Sequence, residues 1–224
     1  MKRISKMAEA AWIVGTVLCA LGVVLCTKAD FGLSMFAAPP YILHVKLKAY
    51  LSWYTQGTSE YVWQSAMLVL MCILVRRFRL KYLLSFLVAV AFGGIIDGWL
   101  WLLGGNAPYL TLPARIAALC AGQLIITFSV ALVFRSYLPA QIPERFVLEV
   151  ADRYHLPVTR VKLFTDIGCL LASCLLSLLL TGKLTGVGIG TVVITLSNAP
   201  LIALWGKLLD RLFLFDPLFP KLKK

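Results

Sequence analysis

Six stretches of this chain are nearly free of charge and close to the length needed to cross a bilayer as a helix. That repetition limits the fold more than any other feature. A straight helical crossing needs about 20 apolar residues, within a range of about 17 to 25. The stretches run about Ala10 to Thr27, Tyr61 to Val75, Tyr82 to Gly104, Ala114 to Phe134, Val161 to Thr181 and Gly188 to Leu208. The second is short and must borrow residues before Tyr61 or after Val75. Composition agrees. The chain is 60% hydrophobic and 14% charged, with a mean hydropathy of +0.87, whereas soluble domains carry about 25% charged residues. The expected fold is all-α, a polytopic membrane bundle of six transmembrane helices forming one integral membrane domain over residues 1–224.

A formal net charge of +12 invites a nucleic-acid reading. The basic residues form no single patch interleaved with aromatics, so nucleic acid is set aside as a partner. They sit between apolar runs, where lipid headgroups and the orientation rule account for them. Of the 22 Lys and Arg, seventeen fall in segments on one side of a six-span path. These are Lys2, Arg3 and Lys6, the cluster Arg76 to Lys81, the run Arg135 to Lys162, and Lys207 to Lys224. The other side holds Lys28, Lys46, Lys48, Arg115 and Lys183. Positive residues mark the cytoplasmic side, so both termini are expected in the cytoplasm of a bacterial-type cell. Trp53, Tyr54, Trp63, Trp99, Trp101 and Tyr109 lie near the outer ends, as an aromatic belt would. The N-terminal Met-Lys-Arg-Ile-Ser-Lys resembles a signal peptide, but no small-residue cleavage site stands before Lys28, so the first span is read as retained.

The six cysteines all fall within apolar runs and form no CxxC pair. They read as buried small hydrophobes with free thiols, not as a metal or redox site. Only His44 and His155 offer imidazole. No metal and no cofactor is expected.

Two connections are too long and too patterned for simple loops. Lys28 to Glu60 opens KADFGLSMFAAPPYIL, with Gly32, Pro39 and Pro40 breaking the helix. Arg135 to Arg160 contains LPAQIPERFVLEVADRYH. There Pro143 suits a first helical position and Glu144 suits the positive end of the helix dipole. Phe146, Val147, Val150 and Tyr154 share a face, and Arg145 with Glu149 forms an i,i+4 pair. This is an amphipathic helix lying at the surface or dipping inward. The connections occupy matching places after the first and fourth spans. At an offset of 104 residues Pro39 falls on Pro143, and at an offset of 101 Asp97 falls on Asn198. Two units of three crossings have opposite orientations, which is the inverted repeat of many transporters. The halves would be residues 10–104 and 114–208.

Several stretches together resemble a bacterial family of small integral membrane proteins, the YczE-like group, related in style to the YitT proteins. They are KADFGLSMFAAPPYIL, TSEYVWQSAMLVLMCILVRRFRLKYLLSF, GGIIDGW, PERFVLEV, KLFTDIGCLLASCLLS, GVGIGTVV and SNAP. The chain departs from the pattern at Met35, Phe36 and Ala37, where many relatives carry a Trp-Asp pair. It departs again at Pro143-Glu144-Arg145, where near relatives have an aromatic before the Glu. The resemblance implies a membrane fold and leans towards transport. It names no substrate.

Charges within spans cost about 2.5 to 3.5 kcal/mol on insertion scales, so each needs a reason. Asp97 lies inside the third span and Asp166 in the first turns of the fifth. Glu60 and Gln64 open the second. Asn198 and Pro200 interrupt the sixth. Lys28 and Asp30 end the first. On a functional reading, Asp97 and Asp166 carry a proton or bind a cation, while Asn198 and Gln64 hydrogen-bond a substrate. On a structural reading, Asp97 pairs with Arg115 or caps a backbone break, and Asp166 pairs with Lys162 at i,i+4. The motif GVGIGT at 186–191, with Gly188, Gly190 and Thr191, suits an anion at a helix N-terminus or close helix packing. Lys28, Asp30 and Glu144 are the loop candidates.

The expected activity is a secondary transporter or facilitator of a small polar solute, with the bilayer as its surroundings and homo-oligomers open to it. A non-transporting membrane subunit is the alternative. An intramembrane enzyme is the third class. No GxGD surrounds either aspartate, no HExxH exists, and two histidines leave no plausible Ser-His pair, so no catalytic residue is assigned. The charge asymmetry makes a direct prediction. Labelling intact cells from outside should reach Asn106→Cys and Thr185→Cys but not Arg77→Cys or Arg153→Cys. Labelled Arg153→Cys would refute the six-span topology.

Overall fold

With no water in the hydrocarbon core, a crossing segment must pair its own N–H and C=O groups, and the apolar stretches do so as long helices. The computed structural model describes residues 8–109, 111–136, 138–139, 141–213 and 215. Lys2, Arg3, Lys6, Lys221, Lys223 and Lys224 of the charge count lie outside the described residues, as does the placement of both termini. The order is α1 (Ala8–Ala29), α2 (Ala38–Leu47), α3 (Gln56–Val75), α4 (Lys81–Leu102), α5 (Leu112–Val133), α6 (Ile142–Tyr154), α7 (Val158–Thr181) and α8 (Ile189–Leu212). Six of these, all but α2 and α6, are long and apolar enough to cross a membrane. Their outward side chains are large and apolar, such as Leu179 at 72% and Leu196 at 74% exposure. Such surface is at home in lipid tails.

The boundaries have local causes. The short second span gains its missing turn upstream. Thr55 accepts the Thr58 N–H at 3.0 Å and starts α3 at Gln56. Asp30 ends α1 and Gly182 follows α7, both in left-handed backbone. Pro residues occupy the first positions of α2, α5 and α6, where a missing N–H costs nothing. One expectation fails. Asn198 and Pro200 do not interrupt the sixth span, because α8 continues through Pro200. Pro200 offers no N–H to the Leu196 carbonyl four residues back, and membrane helices tolerate such a loss where the surroundings re-satisfy the freed backbone group. On the turn before it, Gln123 of α5 ties α5 to α8, donating to the Ile194 carbonyl at 3.3 Å and to the Ser197 hydroxyl at 3.0 Å.

Two glycine crossings set the bundle. A Cβ added at Gly22 of α1 would lie 2.8 Å from the Gly122 carbonyl of α5. One added at Gly122 would lie 2.8 Å from the Gly22 carbonyl. In α3 and α4, a Cβ at Gly57 would overlap the Gly93 backbone. Small residues let membrane helices approach to backbone contact, which is where their packing energy arises.

The packing pairs largely come in twos. α1 packs on α4 and α5 on α8. α2 packs on α3 and α6 on α7. α2 packs on α7 and α6 on α3. The pair α3–α4 breaks the series, for among the described residues α7 and α8 do not pack on each other. The α4–α6 contact likewise has no α8–α2 counterpart.

The glycine crossing can be tested by one methyl group. Gly122→Ala meets Cys26 and the Gly22 carbonyl and should cost about 1–3 kcal/mol, the usual range for overpacking. Gly94→Ala points into open space and should be neutral or stabilising by up to about 1 kcal/mol. Unfolding of the purified variants measures both, and equal stability would refute the crossing.

A central cavity as candidate functional site

The Pro-broken connections send their short helices inwards so that both N-termini reach one cavity of about 520 Å³. Ser34, Met35, Phe36 and Ala37 line it just before α2, and Gln141, Pro143 and Glu144 line it at the start of α6. The remaining walls come from all six long helices. Glu60, Trp63 and Gln64 share a face of α3 at i, i+3 and i+4. Lys162 and Asp166 face in from α7, and Ile194, Asn198 and Ile202 from α8. Trp12, Thr16, Cys19 and Val23 form the α1 wall, and Phe92 and Ile126 close it from α4 and α5.

The loop before α2 is held by the glycine motif at the start of α8. Gly190 donates to the Phe31 carbonyl at 2.7 Å, and Leu33 donates to the Gly186 carbonyl at 2.9 Å. Gly188 donates to the Thr191 hydroxyl at 3.1 Å. Gly32 has a φ of +108°, and a Cβ there would sit 2.6 Å from the Gly188 nitrogen. GVGIGT therefore serves as a backbone dock for the Phe31–Leu33 turn, and the turn delivers Ser34 to Ala37 to the cavity.

The second short helix is anchored by charge. Glu149 is largely buried and accepts Lys81 at 2.7 Å, Arg79 at 3.4 Å and the Tyr82 hydroxyl at 2.8 Å. Arg145 stands at 4.0 Å, the helical pair expected from sequence. Trp12 of α1 donates to the Pro139 carbonyl at 3.1 Å, fixing the segment before α6.

Three carboxyl groups line the cavity, Glu60, Glu144 and Asp166, against the single ammonium of Lys162. Lys162 is committed to Asp166 at 2.6 Å, with its Nζ 4.2 Å from the Phe36 ring centroid. Glu60 is 5% exposed and Gln64 2% exposed. Burial pushes the Glu144 carboxyl above its ordinary range, the Asp166 charge adds to this, and its own backbone N–H and Lys162 pull the other way. Among the described residues, four buried polar atoms belonging to lining side chains have no hydrogen-bond partner: Trp63 Nε1, Gln64 Oε1, Glu144 Oε2 and Asn198 Oδ1. A buried polar atom without a partner costs about 1–3 kcal/mol. Four on the residues around one cavity make it the candidate site.

Of the residues singled out in the sequence, Glu60, Gln64, Glu144, Asp166 and Asn198 converge here. Asp97 does not. Its carboxylate accepts the Gly57 N–H at 2.8 Å and braces the start of α3 against α4. Of the glycines around it, Gly93 receives Gly57, while Gly94 and Gly98 face open space. Lys28 and Asp30 lie at the end of the bundle away from α6. Lys28 is buried and donates to the Gly105 and Ala107 carbonyls, both at 3.0 Å. Asp30 pairs with Arg115 at 3.2 Å. Trp12, Trp63 and Lys162 are cavity residues that sequence reasoning did not select. Their helical spacing from Thr16, Glu60 and Asp166 was the available signal.

A family model matches residues 6–207, and the chain belongs to that family, DUF6198, a family of unknown function. No curated protein and no solved structure matches the chain.

The Glu149 anchor predicts a pH dependence. Burial pushes this carboxyl up, but the hydrogen bonds from Lys81 and Tyr82 outweigh it and hold it below its ordinary value. A depressed folded-state pKa contributes stability above the unfolded-state value, lost as pH falls through the folded one. Stability should therefore drop on acidification below the usual carboxylate range. Glu149→Gln should be less stable at neutral pH and should lose that part of the slope. An unchanged slope in thermal unfolding from pH 7 to pH 3 would refute the anchor.

Proposed function

We propose that this chain, as a member of that family, is a secondary transporter or facilitator. It carries a small polar solute across the cytoplasmic membrane, with both termini in the cytoplasm. The observation that carries the reading is the central cavity, where four partnerless polar atoms and three carboxyl groups meet among six long apolar helices. A soluble protein places such a site in a cleft. Here it stands within a bundle of bilayer-length helices, so a ligand held in it is part-way across. The likeness to YczE-like proteins, which rests on the stretches quoted above, is part of this proposal.

The paired packing supports an inverted repeat with halves near 10–104 and 114–208. α1 and α5 are both 22 residues long, and both short helices begin on a proline-bearing turn. Under this reading the Gly22–Gly122 crossing is the pivot. The halves rock about it and expose the cavity to one side and then the other, as in other repeat-built transporters. Glu60, Gln64, Glu144 and Asn198 contact the solute, Asp166 with Lys162 forms the adjacent wall, and Asp97 is a brace outside the path. No residue is assigned a catalytic role.

A screen of metabolite classes for thermal stabilisation identifies a ligand, since one present at 100 times its Kd adds about 2.7 kcal/mol. Uptake of that ligand into proteoliposomes then tests the path. Glu60→Gln and Gln64→Leu should each reduce uptake about tenfold or more while remaining folded, on the scale of losing a buried charged partner. Asp97→Asn should lower stability and spare uptake. The reverse pattern would overturn the cavity reading. Vesicles that move nothing until a co-purified partner is added would replace the transporter by a non-transporting subunit.

A further inference from the structure

We infer that the cavity recognises an organic ammonium with an apolar body, admitted sideways from the bilayer between α7 and α8. The inference rests on the cavity reading above and names its ligand class.

The argument begins with charge. Asp166 is paired with Lys162, while Glu60 and Glu144 have no ion-pair partner among the described residues. Three of the four partnerless atoms, Gln64 Oε1, Glu144 Oε2 and Asn198 Oδ1, are acceptors. An inventory of acceptors and unpaired carboxylates calls for a ligand that brings both positive charge and N–H donors, which an ammonium group does. An anion would face two carboxyl groups with the only nearby cation already engaged. The indole of Trp63 adds an aromatic face to the same α3 surface, and cations favour such faces.

Much of the rest of the wall is apolar. Val23, Phe92, Ile126, Val130, Ile194 and Ile202 offer no polar side-chain group. A small hydrated cation would leave them wetted, whereas an alkyl or aryl body buries against them.

The third observation is the break in the paired packing. α3 and α4 close on Gly57 and Gly93, but α7 and α8 make no such contact. Both contribute cavity residues, Asp166 from one and Asn198 from the other. α7 and α8 thus both line the cavity without packing on each other among the described residues, and the lateral route is taken to run between them. Both helices carry large exposed apolar side chains, such as Phe164, Leu171 and Leu196. An amphipathic amine already partitioned into the bilayer would reach the cavity by this route.

The test uses the full chain in phosphatidylcholine nanodiscs and three probes of matched shape: phenethylammonium, neutral 2-phenylethanol and anionic phenylacetate. Tryptophan fluorescence and the thermal midpoint report binding. Phenethylammonium should bind at least about tenfold more tightly than either of the others, the scale of a buried charged contact. Glu60→Gln and Glu144→Gln should abolish that preference and leave the weak binding of 2-phenylethanol unchanged. Asn198→Leu, which leaves both carboxyl groups in place, provides a second variant should either fail to fold, and should weaken the ammonium several-fold. Equal or tighter binding of phenylacetate, or ammonium binding indifferent to all three variants, would overturn the inference. Proteoliposomes separate the two levels. If phenethylammonium binds with this pattern but is not moved, transport fails and the ligand class stands. If another solute is moved through a Glu60-dependent path while phenethylammonium does not bind, the ligand class fails and transport stands.

Discussion

The rest of the bundle hangs on the approach of α1 to α5 at Gly22 and Gly122. Their backbones lie close enough that neither position has room for a methyl group. Between membrane helices there is no hydrophobic drive, because lipid tails are as apolar as leucine, so close van der Waals packing has to hold the helices together. This crossing brings Trp12 to Val23 of α1 and Ile126 to Val133 of α5 onto the same cavity. A single methyl at its centre would push apart the walls on which every polar candidate depends.

Around that crossing the two short helices do the positioning. Each begins where proline stops the preceding run, and each turns its N-terminus inwards. One is docked by backbone hydrogen bonds to the glycine motif at the start of α8, the other by the charges gathered on Glu149. The two solutions differ in chemistry and agree in geometry. The glycine motif, which reads as an anion site in isolation, is occupied by the Phe31–Leu33 turn. Its Gly190 N–H is spent on the Phe31 carbonyl and its Gly188 N–H on the Thr191 hydroxyl.

The cavity combines costs that a merely structural core would avoid. Glu60 and Gln64 are almost wholly buried, and partnerless acceptors stand beside them. An apolar replacement at each position would satisfy packing more cheaply. Polar groups kept at such a place are explained by what they contact. By the same logic Asp97 is explained already, since its carboxylate has an N–H to hold. What separates Asp97 from Glu60 is whether the neighbouring backbone offers a donor.

The sequence by itself determined the six apolar helices, the Pro-started helix α6 and the charge asymmetry, whereas it read Pro39 and Pro40 as helix breakers where α2 in fact begins. These follow from hydropathy and from proline, which act on a segment regardless of its neighbours. It also picked out Glu60, Gln64, Glu144, Asp166 and Asn198 one at a time, because a polar group in an apolar run is visible in any alignment of the chain with itself. Only the tertiary structure decided that these five share a cavity and that Asp97 stands outside it. Only the tertiary structure showed that α8 runs unbroken through Pro200. The same holds for the lack of packing between α7 and α8 among the described residues, which depends on where whole helices are placed. Hydropathy reports how each residue partitions into lipid, whereas bringing residues 60 and 198 to one cavity depends on helix crossings, and those are set by glycines elsewhere in the chain.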